Sequence, residues 1–302
     1  MTWRTALHGS IPALITPMRG DGSVDHGKLR DLVEWHVAEG SDGVVAVGTT
    51  GESATLDVAE HSAVIATVVH AAAGRIPVIA GTGANATAEA ITLTRMAASL
   101  GADAALLVTP YYNKPPQDGL RAHYAAIADS CDIPQILYNV PGRTGCDLLP
   151  STVAQLLDYE HIVAIKEASG DQQRIRDLLA LGRGLVVISG DDATARESIA
   201  LGARGDISVT ANVAPAAMHR MCAQALAGDG AAAERTDAAL QALHVDLFCQ
   251  PNPIPVKWAL ARMGLCTDAI RLPLVPLATT YHAPVAAALR QAGISLDDRN
   301  ET

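Results

Sequence analysis

The sequence predicts an α/β protein, a (β/α)8 TIM barrel followed by a small C-terminal helical domain. Short runs rich in Val, Ile and Leu alternate with longer amphipathic stretches, and eight such alternations precede Pro215. Alternation of this kind predicts a parallel sheet with helical crossovers, and eight units can close as a barrel. After Pro215 only helical patterns remain. A doubly wound open sheet is the alternative, because periodicity alone does not distinguish it from a barrel.

Each predicted strand is a short apolar run, as expected where both faces of a parallel sheet are covered. In chain order the runs are IPALITP from Ile11, GVVAVG from Gly43, PVIAG from Pro77, AALLVTP from Ala104, PQILYNV from Pro134, IVAIK from Ile162, LVVIS from Leu185 and DISVT from Asp206. Between them, helical patterns such as 25–40 and 86–101 close on glycine, a frequent residue at helix C-termini.

Three further helical stretches, near 231–248, 253–264 and 283–293, form the predicted C-terminal segment. No Ser/Gly-rich linker or low-complexity stretch precedes it, so we expect it to pack on the barrel. The predicted division is a catalytic barrel domain over 1–230 and a helical domain over 231–302.

The composition argues against several classes of function. The 302-residue chain has a formal charge of −10, whose field repels phosphate backbones and argues against nucleic-acid binding. Its five cysteines are scattered without a C-x-x-C motif, which favours a reduced cytosolic chain with no cysteine metal site. No apolar stretch approaches the ~18 residues of a membrane span. We therefore expect a cytoplasmic protein with neither a nucleic-acid nor a membrane partner.

Catalytic side chains of a barrel lie where strands end and loops begin. The run IVAIKE places Lys166 there, followed by Glu167. A solvated pair of charges is one interpretation. The other is a lysine in a pocket, because a desolvated, neutral amine can attack a carbonyl to form a Schiff base. The pocket is favoured by the polar segments that share the predicted rim, GTTGES (48–53), TPYYNKPP (109–116), YNVPGRTG (138–145) and SGDD (189–192).

Three groups on this rim suit carbonyl chemistry. Tyr138 ends the neighbouring strand and could shuttle protons, although a tyrosine there could also be part of the core. GTTGES offers backbone N–H groups and hydroxyls to a carboxylate, or it is an ordinary tight turn. Arg143 could clamp a carboxylate through two hydrogen bonds, although most loop arginines are simply solvated.

Other motifs are weaker. GTGANA (81–86) fits a nucleotide-binding pattern, but Asp103 precedes a strand instead of ending one, which argues against it. Asp191 and Asp192 could bind a divalent metal, but no clustered histidines accompany them, and a helix N-cap is the favoured role. We expect neither a metal nor an organic cofactor.

Five motifs, GTTGES, PYYNKP, YNVPGRTG, IKEASGD and NPIPVKWAL (252–260), resemble the dihydrodipicolinate synthase family of pyruvate-dependent class I aldolases. The resemblance covers about Gly9 to Gly293. It implies an allosteric, cofactor-free lyase that condenses pyruvate with L-aspartate-4-semialdehyde through a lysine Schiff base, in lysine and diaminopimelate biosynthesis. It also implies a homo-oligomer, usually a tetramer built as a dimer of tight dimers.

The resemblance assigns roles by matching position. Lys166 matches the Schiff-base lysine and Tyr138 the tyrosine that acts as general acid and base. Thr49 matches the threonine of a proton relay, and Tyr112 the tyrosine that crosses the tight-dimer interface into a neighbour's site. The implied substrate contacts are Thr50 for the pyruvate carboxylate, Arg143 for the semialdehyde, and the backbone of Gly190 and Ile207 around pyruvate.

In many bacterial and plant members of the family, L-lysine inhibits by binding at the tight-dimer interface. The matching positions are Ser53, Ala54, His61, Asn85, Glu89 and Tyr111. Glu89 suits the ammonium group of lysine, and Tyr111 and Asn85 suit its carboxylate. An acid in the first turn of a helix is also common without any ligand.

Two positions depart from the family pattern. Asp206 replaces a valine beside the implied pyruvate pocket, where it either weakens anion binding or points into the barrel wall. Val58 stands where enterobacterial members have a histidine, so we expect partial inhibition by lysine with reduced affinity.

Two alternative functions stay open at this stage. One is another pyruvate-dependent aldolase, of the N-acetylneuraminate lyase or keto-deoxy-sugar acid type, which generally lacks an arginine matching Arg143. The other is a barrel that binds pyruvate-like acids without catalysis, for which a complete proton relay would have no use.

Overall fold

The computed structural model describes residues 7–296, which contain one sheet of eight parallel strands. The strands are β1 (Gly9–Pro12), β2 (Val44–Ala46), β3 (Val78–Gly81), β4 (Ala104–Val108), β5 (Gln135–Asn139), β6 (Ile162–Glu167), β7 (Val186–Ser189) and β8 (Gly205–Ser208). They are hydrogen-bonded in the order β1-β8-β7-β6-β5-β4-β3-β2, and a parallel bridge between Ala13 and Val45 joins the two remaining edges. The sheet is a nearly closed barrel, which confirms the predicted fold and excludes an open doubly wound sheet.

Alternate residues of each strand face the barrel interior or the surrounding helices. Val45, Ile79 and Ile207 are buried together inside the barrel, whereas Val44 and Leu107 belong to the larger core under the helices. This period of two decides which side chains at the strand ends can enter the barrel mouth.

Twelve helices lie in the described part of the chain. They are α1 (His26–Ala38), α2 (Val58–Ala72), α3 (Thr87–Ser99), α4 (Gln117–Ala128), α5 (Pro141–Thr144), α6 (Pro150–Leu156), α7 (Gln172–Ala180), α8 (Ala195–Leu201), α9 (Pro215–Leu226), α10 (Gly230–Asp246), α11 (Ile254–Arg262) and α12 (His282–Gln291). Local chemistry explains several starts. Asp57 and Glu60, for example, form a reciprocal capping box at α2, in which each carboxylate accepts the other residue's backbone N–H.

The three predicted C-terminal helices are α10, α11 and α12. Leu243 of α10 and Leu289 of α12 belong to the same apolar core as Ile65 and Leu178 on the barrel helices, so the C-terminal segment packs on the barrel. The division into domains at 230/231 falls at the first residue of α10, Gly230, and stays a prediction. Nowhere in residues 7–296 is a helix long and apolar enough to cross a membrane.

Candidate active site

Lys166 projects into the barrel from the carboxyl end of β6, and only 5% of its surface is exposed. It pairs in register with Tyr138 on β5 and Ile188 on β7. The Lys166 Nζ lies over the Tyr138 ring, 4.3 Å from its centroid, where the face of the ring would stabilise a positive charge. The interpretation of Lys166 as a buried pocket residue is therefore the one that the structure supports.

Glu167 points to the opposite side of β6 and is also buried. Its carboxylate accepts hydrogen bonds from Asn139 Nδ2 at 3.0 Å and from the Ser169 backbone N–H at 2.8 Å. Burial raises the pKa of Glu167, and the hydrogen bonds from Asn139 and Ser169 only partly offset this. Lys166 and Glu167 are thus separated by the strand and do not form a solvated pair.

Gly190, just after β7, makes room for the lysine. A Cβ atom at this position would lie 2.5 Å from Lys166 Cε and 2.9 Å from the Cβ of Ala168. Contacts this short are repulsive, so the close approach requires glycine. The family resemblance implied only a backbone contact here.

A cavity of about 180 Å³ lies in front of the lysine. Six of the predicted site residues line it, namely Thr49, Thr50, Tyr138, Arg143, Lys166 and Gly190. Val45 and Leu106 supply apolar wall. The predicted residues thus bring one amine, one phenol, two hydroxyls and one guanidinium to the cavity, whose lining also includes Asp191 and Asn252. The cations and hydroxyls suit a small carboxylic acid.

The GTTGES segment forms a tight turn after β2. The backbone N–H groups of Gly51 and Ser53 both donate to the Gly48 carbonyl, at 3.0 and 3.4 Å. Thr50 is 2% exposed, and its hydroxyl accepts a hydrogen bond from Asn252 Nδ2 at 2.9 Å. Because the amide occupies a lone pair of that hydroxyl, the Thr50 proton is free to donate to a substrate carboxylate.

Arg143 stands on the four-residue helix α5, at the mouth of the same cavity. Its Nη2 donates to the backbone carbonyl of Asn252 at 3.4 Å. Arg143 also lines a second, adjoining cavity, so it stands where the two cavities meet.

Asn252 is a site residue to which the sequence reasoning gave no role. It lines both cavities, and its Oδ1 is buried without a hydrogen-bond partner among residues 7–296. The signal was present, since the NPIPVKWAL segment begins at Asn252 and was part of the resemblance.

Two predicted residues do not line the cavity in the single chain. Tyr112 is 89% exposed and has a positive φ of 73°. Ile207 is 1% exposed and packs inside the barrel, where it pairs with Ile11 of β1. Their predicted roles stay predictions, and that of Tyr112 requires a second subunit.

Asp206 points away from the barrel interior, since its neighbour Ile207 occupies the inner face. Both of its carboxyl oxygens are buried and receive no hydrogen bond from another donor in the described chain. Burial and the neighbouring Asp192 raise the pKa of Asp206 well above its usual range.

Asp192 is not the helix N-cap favoured from the sequence, and its carboxylate instead accepts donors from the turn after β8. Its Oδ2 accepts the backbone N–H groups of Val209 and Thr210, at 3.0 and 2.9 Å, and its Oδ1 accepts the Ser208 hydroxyl. Burial acts to raise the pKa of Asp192, but His244 and the hydrogen bonds from its neighbours lower it overall. Its oxygens are thus committed to the protein.

The adjoining second cavity has a volume of about 390 Å³. It brings together five of the six residues predicted for lysine, namely Ser53, Ala54, His61, Glu89 and Tyr111. Asn85 is not in its lining, and its backbone carbonyl accepts a hydrogen bond from Asn113. Burial lowers the pKa of His61. Burial raises the pKa of Tyr111, and the negative charge of the nearby Glu89 raises it further.

Comparisons with known proteins point to one family. The model of the dihydrodipicolinate synthetase family matches residues 6–292. The chain is 59% identical over 292 residues to the 4-hydroxy-tetrahydrodipicolinate synthase of Thioalkalivibrio sulfidiphilus, covering 96% of this chain and 99% of that one. It is 60% identical over 289 residues to the protein of the same name from Methylococcus capsulatus, with 95% and 99% covered.

The solved structures that resemble this chain include dihydrodipicolinate synthases. The chloride-inhibited dihydrodipicolinate synthase from Acinetobacter baumannii, complexed with pyruvate, matches with a TM-score of 0.95 and 55% identity, covering 96% of this chain and all 100% of that chain. The enzyme from Cyanidioschyzon merolae with lysine bound matches with a TM-score of 0.93 and 38% identity, with 96% and 99% covered.

Proposed function

The chain belongs to the dihydrodipicolinate synthetase family, and we propose on that basis that it is a 4-hydroxy-tetrahydrodipicolinate synthase, condensing pyruvate with L-aspartate-4-semialdehyde. The observation that carries the proposal is the Lys166 amine, buried over the Tyr138 ring in a cavity of about 180 Å³. The activity is a carbon–carbon lyase-type synthesis in the formation of diaminopimelate and lysine.

The first half-reaction uses Lys166 and the turn beside it. The pyruvate carboxylate binds at the Thr49–Thr50 turn, since both threonines line the cavity. The Lys166 amine attacks the ketone carbon and, after loss of water, forms an imine. Tyr138 transfers the protons that these steps require, and the protonated imine then acidifies the methyl group so that an enamine forms.

The second half-reaction involves Arg143. The enamine carbon attacks the aldehyde of the semialdehyde, whose carboxylate is held by the guanidinium at the cavity mouth. This position, between the two cavities, is what supports an aspartate semialdehyde over a sugar-acid substrate.

Thr49 lines the cavity and would connect Tyr138 to Tyr112 of a neighbouring subunit in a proton relay. We propose a homo-oligomer, a tetramer built as a dimer of tight dimers. Three large apolar side chains are exposed in the single chain: Tyr112 is 89%, Leu272 79% and Val58 54% exposed. Exposed apolar side chains of this size support an interface with a second subunit that would cover them.

We also propose that L-lysine is an inhibitor that binds in the second cavity. The carboxylate of Glu89 and the phenol of Tyr111 both line this space, and they suit the ammonium and carboxylate groups of an amino acid.

The experiment that tests the function is reduction with borohydride in the presence of pyruvate, followed by peptide mapping. The tag should appear on the peptide that contains Lys166 and should be lost in Lys166→Ala. Lys257, which is also buried, and Lys114 are internal controls. A tag on either of them, or a preference of the enzyme for sialic acid over the semialdehyde, would contradict the proposal.

A further inference from the structure

A buried ion pair joins the Gly48–Ser53 turn to the C-terminal helices. We propose that Glu52 and Lys257 are positioning residues for pyruvate binding, because their ion pair fixes the turn that carries Thr49 and Thr50. The inference rests on the function proposed above.

The two charged side chains are almost completely buried. Lys257 on α11 places its Nζ 2.5 Å from Glu52 Oε1, and each side chain is 1% exposed. The second oxygen, Glu52 Oε2, accepts the backbone N–H of Arg271 at 3.1 Å. Both oxygens of the carboxylate are therefore used by the C-terminal segment. Since a buried charge requires its partner, the pair ties the turn to α11.

The backbone of the turn is held in an unfavourable conformation. Glu52 has a φ of 57°, in the left-handed region that costs a non-glycine residue free energy. The Gly51 carbonyl is fixed by the Thr16 hydroxyl at 2.7 Å. A glycine would adopt this φ more easily, but it would have no carboxylate to offer Lys257.

The same segment contacts the turn at a second point. Asn252, five positions before Lys257, donates to the Thr50 hydroxyl at 2.9 Å. Glu52 lines the second cavity but not the one in front of Lys166, and Lys257 lines neither. Lys257 therefore contacts no substrate there and acts only through the turn. Loss of the pair should displace Thr49 and Thr50 from the pyruvate carboxylate and leave the Lys166 amine in place.

The test compares Lys257→Met, Glu52→Gln and the double variant Glu52→Gln/Lys257→Met with the wild type. Lys28→Met, which removes an exposed lysine on α1, is the matched control. For each protein, the Tm, the KM for each substrate and the borohydride-trapped imine at saturating pyruvate are measured.

In Lys257→Met we expect a lower Tm, a pyruvate KM raised about tenfold, and a full yield of imine at saturating pyruvate. The semialdehyde KM should stay close to that of the wild type. The double variant should regain most of the lost Tm, because neither unpaired charge remains buried, yet keep the raised pyruvate KM. Lys28→Met should match the wild type throughout.

A purely structural role gives a different pattern. The proposal is overturned if the pyruvate KM is unchanged in Lys257→Met, or if the double variant restores it together with the Tm. Should Lys257→Met not fold, Lys257→Arg replaces it, since it keeps the charge with a bulkier head and should raise the pyruvate KM at a nearly normal Tm. Failure of the proposed function is distinct, because the wild type itself would then form no imine.

Discussion

Gly190 and Lys166 show how a single missing Cβ atom can define a site. An added Cβ at position 190 would lie 2.5 Å from Lys166 Cε, so the lysine can extend over the Tyr138 ring only past a glycine. Lys166 could be predicted from the sequence because an amine ending an apolar run is conspicuous. The space for the lysine side chain could not be predicted, because that space depends on how closely the ends of β6 and β7 approach each other.

We expect Gly190→Ala to lower kcat/KM by about 100-fold, since displacement of a reacting group by an ångström can cost that much. The new methyl group would push the amine away from the pyruvate ketone, so the yield of borohydride-trapped imine should fall as well. Gly230→Ala is the matched control, because a Cβ there meets nothing within 4 Å. Normal imine yield in Gly190→Ala would contradict this account of the glycine.

Asp206 predicts a pH-dependent stability. Burial and Asp192 raise its pKa well above the usual range in the folded chain, whereas the unfolded chain titrates near the ordinary value of ~3.9. The folded state therefore retains a proton that the unfolded state loses. This contribution is complete below about pH 4 and is lost as the pH rises towards the raised pKa.

Asp206→Asn replaces the carboxyl group with an amide of similar size that stays neutral at every pH. Thermal unfolding followed between pH 5 and 9 should show the wild type losing stability relative to Asp206→Asn as the pH rises. The difference should be smallest at pH 5, where both side chains are neutral. Parallel profiles for the two proteins would show that Asp206 is already ionised in the folded state.

Among the secondary-structure elements, the eight strands could be predicted because each is a short apolar run covered on both faces. The helix α5 could not, since its four residues, Pro141–Thr144, read as a Pro/Gly loop. A hydrogen bond from Gly145 N–H to the Pro141 carbonyl closes it at 2.9 Å. This short helix places Arg143 at the cavity mouth. The sequence predicted the residue but not the helix that positions it.

Removal of the Arg143 guanidinium should weaken binding of the semialdehyde and leave binding of pyruvate almost unchanged. Arg143→Ala should raise the semialdehyde KM by roughly 10- to 100-fold, the range expected for a lost charge-assisted hydrogen bond. Imine formation with pyruvate should stay near the wild-type level, because Lys166 and the Thr49–Thr50 turn are unchanged. Arg143→Lys should recover only part of the loss, since an ammonium cannot form the two parallel hydrogen bonds. An unchanged semialdehyde KM would remove Arg143 from the site.

At the scale of the whole molecule, two cavities adjoin and share part of their lining. Thr49, Val140, Arg143 and Asn252 line both, so a ligand in the larger cavity lies one side chain from the smaller one. Five of the six residues that the resemblance assigned to lysine binding line the larger cavity. The continuity of this cavity with the catalytic cavity depends on side chains brought together from distant loops. Asn252 illustrates this, because it is 202 positions from Thr50 in the sequence.

The proposed inhibition by L-lysine would depend on this arrangement. L-lysine bound in the larger cavity would contact Tyr111, whose neighbour Tyr112 is the proposed relay residue for another subunit, so fixing one constrains the other. Val58 lines the cavity where a histidine would offer a polar contact, and we therefore expect partial inhibition of modest affinity. Steady-state rates with added L-lysine, at saturating and at low pyruvate, measure it.

Glu89→Ala should raise the lysine concentration for half-maximal inhibition by about tenfold, because the ammonium group loses a charged hydrogen-bond partner. Its activity without lysine should stay normal, since Glu89 does not line the catalytic cavity. Asp118→Ala is the matched control, as Asp118 is an exposed acid in the first turn of α4 that lines neither cavity. If Asp118→Ala weakened inhibition equally, the effect would reflect overall charge. If inhibition survived Glu89→Ala unchanged, lysine would bind elsewhere.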